Sequence, residues 1–128
     1  MTNFEILGLA GGAAGLLVMI YLAVSKGERG SPLVAAMLFG GFTAFTAVAI
    51  WLEGPMGFIP NHTSNLLGVQ VWYDLVMSVG IALFFILPRS RAVGMQSLPW
   101  IIFVGCTASI GLFAMVARLL WLEGQAEA

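Results

Sequence analysis

Charge is what this chain has least of. Lys and Arg number five and Asp and Glu six, together 9% of the residues, where a water-soluble domain carries about 25%. So few charges cannot cover a water-facing surface, which excludes an ordinary soluble fold. The net charge of −1 removes nucleic acid and other polyanions from the expected partners. Cysteine is nearly absent as well: Cys106 stands alone in an apolar run, so no internal disulfide can form. One His and one Cys cannot build a Cys/His zinc site, and no metal is expected. No nucleophile–base pair or phosphate loop is visible. The sequence therefore predicts no catalytic residues, no cofactor and no enzyme.

What the chain does have is apolar length. Hydrophobic residues make up 60% of it. Four segments, roughly 4–25, 32–52, 66–87 and 99–122, each approach the ~20 residues that span a bilayer. The expected fold is all-α, a single four-helix transmembrane bundle covering residues 1–128. Thr2-Asn3-Phe4-Glu5 reads as a capping box opening the first segment. With no positive stretch before it, that segment does not resemble a cleaved signal peptide. Pro32 and Pro99 fall in the first turns of the second and fourth segments, where a missing N–H is harmless. Asn65 or Ser64 reads as the N-cap of the third, and Pro88 as its stop.

The connections give the expected orientation. The first, Ser25 to Ser31, carries Lys26, Glu28 and Arg29; the third, Pro88 to Leu98, carries Arg89 and Arg91. The second, Gly54 to Asn65, has no Lys or Arg. Two spans separate the basic connections, so both lie on one face, and the positive-inside rule makes that face cytoplasmic. Both termini are then expected outside, with Trp51, Trp72 and Trp121 at the outer interface and Trp100 at the inner. Trp51-Leu52-Glu53-Gly54 and Trp121-Leu122-Glu123-Gly124 recur at an offset of 70 positions, which suggests a duplicated helical hairpin or chance in an apolar alphabet.

The few costly polar groups fall near one another under that topology. Glu53 ends the second segment, Asp74 opens the third, and Arg118 lies one turn inside the end of the fourth. An ionisable group at membrane depth needs a partner, so Arg118 is expected to pair with Asp74, Glu53 or both. The plainer alternative is that Arg118 snorkels to water and the acids are solvated. His62, the one imidazole, is a weak candidate for holding a pigment or hydrogen-bonding a quinone; a loop histidine is more often simply solvated. Gly8, Gly11, Gly12 and Gly15 give the first segment overlapping G-x-x-x-G patterns. Such small residues let membrane helices approach closely, within the bundle or onto another subunit.

The second half carries a resemblance. Trp72-Tyr73-Asp74-Leu75 is followed by Ser78, Phe84, Arg89, Arg91, Gly94-Met95 and Trp100. This resembles an uncharacterised family of small bacterial integral membrane proteins with an Asp-Leu near a helix start, a basic pair, and a Gly-Met before an aromatic-led last helix. The resemblance implies a bacterial inner-membrane location and no known activity. Small multidrug transporters are similar in length and helix count. They need a carboxylate midway along the first helix, where this chain has only Glu5 at the start. The expected function is a non-enzymatic accessory or assembly subunit of a larger membrane complex. Its partners would be the lipid bilayer and other membrane subunits or further copies of itself. The alternative is a small oligomeric transporter or channel using Asp74, Glu53 and Arg118.

Overall fold

The computed structural model describes residues 1–25 and 30–128. The charges Lys26, Glu28 and Arg29 of the first connection lie outside the described residues. Every regular element among those described is helical: α1 (Asn3–Val24), α2 (Pro32–Glu53), α3 (Phe58–Thr63), α4 (Leu66–Ala92), α5 (Ser97–Thr107) and α6 (Ser109–Glu127). Three of them, α1, α2 and α4, are long and apolar enough to cross a membrane.

The starts of these helices follow local chemistry. Thr2 and Glu5 form the expected capping box on α1. The Ser31 hydroxyl accepts from Val34 N ahead of Pro32, and Asn65 Oδ1 accepts from Gly68 N at 2.8 Å to open α4. Each satisfies a first-turn amide that the helix cannot. The connection from Gly54 to Asn65 is not plain loop, because α3 folds within it and packs on α4. A Cβ on Gly68 would meet Asn61 O at 2.9 Å, so that approach requires glycine.

Pro88 does not stop α4, which continues to Ala92 with Pro88 inside it. A proline removes one hydrogen bond, here the one Phe84 O would accept. The turn beyond it is anchored: Ser90 is fully buried, its hydroxyl donates to Leu87 O at 2.9 Å, and its carbonyl accepts from Met95 N at 2.9 Å.

The fourth apolar segment is not one span. It breaks at Ala108, whose backbone sits at φ 50, ψ −116, and the chain reverses there. α6 then runs back beside α5, so closely that a Cβ on Gly111 would lie 2.7 Å from Val104 Cα. The eleven residues of α5 reach about 16 Å at 1.5 Å per residue, half the ~30 Å of a hydrocarbon core. The pair is a helical hairpin, and neither of its halves is among the helices long and apolar enough to cross a membrane. Val104, Met115 and Leu119 are buried inside it, with Met95 from the preceding turn.

That reversal relocates the C-terminus. α6 lies along α2 and touches α4 and α5. Gly30, at the start of α2, lies next to Leu120. Arg89, near the end of α4, donates Nε and Nη2 to the Glu123 carboxylate at 3.0 and 2.7 Å. The end of α6 therefore sits at the Arg89 end of the fold, not beside the second connection as expected for a C-terminus outside. Trp121 moves with it to the Trp100 end. The two Trp-Leu-Glu-Gly stretches end opposite faces, which removes the structural case for a duplicated hairpin.

α1 differs from all other elements. It makes no contact with another described helix, and none of its residues is buried.

Candidate functional site

The α5–α6 tip borders a cleft of about 730 Å³. One wall is α2, from Phe39 to Ile50; another is the first half of α4, from Trp72 to Val79; Phe58 of α3 closes one end and residues 103–108 of the hairpin the other. The volume lies in the range of small-molecule sites, about 300–1,000 Å³. No Asp, Glu, Lys, Arg or His lines it.

Its polar groups divide into two kinds. The Thr43 hydroxyl donates to Phe39 O at 2.6 Å and the Thr107 hydroxyl to Phe103 O at 2.7 Å. This back-bonding is how a helical threonine satisfies itself in apolar surroundings. Thr46, one turn from Thr43, makes no such bond, and neither does the indole N–H of Trp72 to any described residue. Thr46 is half-buried, and Trp72 is exposed at 37%. Thr46 stands seven residues before Glu53 and Trp72 seven after Asn65, so each lies about 10 Å from the same end of the fold at 1.5 Å per residue.

Trp72 is fixed by an aromatic triad. Its ring meets Phe58 edge-on at 5.1 Å and His62 at 6.1 Å, and Phe58 meets His62 at 5.2 Å. His62 Nδ1 lies 2.8 Å from Phe58 O. A carbonyl only accepts, so Nδ1 carries a proton. His62 thus stands behind two residues that line the cleft without lining it itself.

The expected ion-pair group does not assemble. Among the described residues, Asp74, Glu53 and Arg118 form no ion pair. Arg118 shares a hollow with Val93, Gly94, Trp100 and Leu122, and its guanidinium stacks 4.6 Å above the Trp121 ring. Val93 lies nineteen positions beyond Asp74, about 28 Å along the axis. The pairing was inferred from a fourth crossing helix, and the break at Ala108 carries Arg118 to the other end. The ion pair that does form, Arg89 with Glu123, joins two residues placed on opposite faces by the sequence. The α1 glycines pack against nothing: a Cβ on Gly8, Gly11, Gly12 or Gly15 would meet no atom within 4 Å.

Thr46 is a polar residue in the middle of the second apolar segment, whereas Trp72 reads from sequence as interfacial belt. Only the tip of the hairpin brings them to one cleft. No group of three or more metal-ligating side chains occurs among the described residues. Comparisons with family models, curated proteins and solved structures find no match.

Proposed function

We propose that this chain is a non-enzymatic integral membrane protein, an accessory or assembly subunit that joins a larger complex through α1. The observation carrying this reading is that α1, a 22-residue apolar helix, packs against none of the rest of the described chain. Its glycines at 8, 11, 12 and 15 offer a close-approach surface that this chain does not use. Without a hydrophobic drive between helices in lipid, such surfaces are what bring membrane helices together.

In this reading α1, α2 and α4 cross the membrane and the α5–α6 hairpin enters and leaves by one face. Arg89, Arg91 and Arg118 share that face with the connection holding Lys26 and Arg29 in sequence. All five basic residues then fall on one side, which the positive-inside rule makes cytoplasmic. The N-terminus is outside and the C-terminus inside. The resemblance over the second half favours a bacterial inner membrane. Thiol labelling tests the orientation in a Cys106→Ala background: Gln96→Cys and Ala126→Cys should react from the cytoplasmic side and Ser64→Cys from the other. Labelling of Ala126→Cys together with Ser64→Cys would reject it.

The docking reading is tested by Gly12→Leu. The variant should insert normally yet no longer co-migrate with its partner in native gels after gentle detergent extraction. A wild-type chain that migrates alone as a monomer would reject the reading. A second reading, a small oligomeric transporter or channel, is favoured by one observation: an apolar segment broken at Ala108 beside a cleft, resembling the broken helices transporters use around substrates.

A further inference from the structure

The cleft presents two donors without acceptors, Thr46 and Trp72, at equal depth between apolar and aromatic walls. We propose that it binds a neutral lipophile bearing ring carbonyls, of the isoprenoid-quinone class, with the ring at Thr46 and Trp72 and the tail along the α2–α4 wall.

The argument is one of matching. A hydroxyl or indole N–H held in apolar surroundings without a partner loses the hydrogen bond it would have in water, so a ligand that fits must bring acceptors. The absence of Asp, Glu, Lys, Arg and His from the lining makes that ligand neutral. Phe58, Trp72 and Phe103 supply flat apolar faces for a ring. The Phe58–His62–Trp72 triad holds the indole in place, so little rotamer freedom is lost on binding.

Depth separates the two sources of carbonyl in a membrane. The ester groups of phospholipids sit at the edge of the hydrocarbon core, whereas Thr46 and Trp72 lie about 10 Å inward from the ends of their helices. An acyl chain entering the cleft brings no acceptor to that level. A quinone ring, free to move through the hydrocarbon, does. The inference is one of binding alone and stands independently of α1 and its partner.

The probe is decylubiquinone, titrated into the full chain held in phosphatidylcholine nanodiscs, with empty discs giving the background partition. A saturable component is expected above that background. Thr46→Val and Trp72→Phe should each weaken it about five- to tenfold, the value of one neutral hydrogen bond. Ala47→Phe, which projects a ring into the cleft from α2, should abolish it. Each variant is first matched to the unaltered chain by circular dichroism and gel filtration. A further arm needs no variant: dodecylbenzene, with a similar apolar body and no carbonyl, should compete poorly for the unaltered chain. No saturable component overturns the proposal. So does equal competition by dodecylbenzene, which would make the cleft a site for acyl chains. Unchanged affinity in both Thr46→Val and Trp72→Phe overturns it too.

Discussion

α1 and the α5–α6 hairpin are both apolar, both glycine-bearing, and differ in almost everything else. α1 is one unbroken helix that touches no other described element. The hairpin is broken in the middle, packs on α2 and α4, and contains Met115 and Val104 at 0% exposure. Four glycines on α1 have open space around them, while Gly111 has the neighbouring backbone against it. Small residues therefore permit contact without creating it. What creates it here is the reversal at Ala108, which gives the chain a second apolar surface to fold onto. In lipid this matters more than in water, because burial of an apolar side chain away from acyl chains gains little and close packing supplies the association.

The largest effect that would break this comparison is expected at Gly111. Gly111→Leu places a side chain where even a Cβ is 2.7 Å from backbone, and overpacking at such a point costs about 1–3 kcal/mol or more. A clear fall in melting temperature in detergent is expected, and an unchanged value would mean that α5 and α6 are not in close contact. Ala108→Gly acts in the opposite direction. Ala108 holds φ 50, a conformation that costs a side-chain-bearing residue about 1–3 kcal/mol. Glycine should recover part of that, so the melting temperature should rise. A fall would indicate a continuous helix, where glycine is the worse residue by about 1 kcal/mol.

Smaller effects sharpen the contrast. Arg118→Leu removes a stacked guanidinium at an exposed position, worth about 0.5–1 kcal/mol. Denaturant titration should show a slight change. A loss of several kcal/mol that Asp74→Asn or Glu53→Gln then restores would revive the ion pair read from the sequence. At the bottom of the scale, Gly12→Leu should leave the melting temperature of the isolated chain unchanged, since nothing lies within 4 Å of the added Cβ. A destabilised isolated chain would show that α1 packs on its own neighbours.

The parts of this fold legible in the sequence are those set locally. Three long apolar segments, the capping box at Thr2 and Glu5, and the Asn65 cap need only neighbouring residues, and all three long helices form as expected. The break at Ala108 is different. Thr107, Ala108 and Ser109 are all tolerated inside a helix, and nothing nearby demands a positive φ from an alanine. Read as continuous, that segment placed Arg118, Trp121 and Glu123 at the wrong end together. One missed reversal thus accounts for the unformed ion pair, the uneven tryptophan belt and the misplaced C-terminus. Pro88 misled in the other direction, because a proline signal is local while the anchoring of Ser90 by Leu87 and Met95 is not. The cleft was illegible for the same reason as the hairpin: its two unpartnered donors come from different helices, and only the tip closes the space between them.

The two halves of the hairpin also oppose each other electrically. α5 ends at the tip with its carbonyls and α6 begins there with its amides, so a partial negative and a partial positive helix end lie side by side. At any distance beyond a turn or so their fields largely cancel. Residues 101–117 contain no Asp, Glu, Lys or Arg. Displacing residues 101–117 along a membrane normal would therefore carry almost no gating charge, where each unit charge moved through a 100 mV potential gains about 2.3 kcal/mol. The tip thus offers a membrane potential almost nothing to act on, and the first charges of α6, Arg118 and Glu123, lie beyond it toward the Arg89 end of the fold.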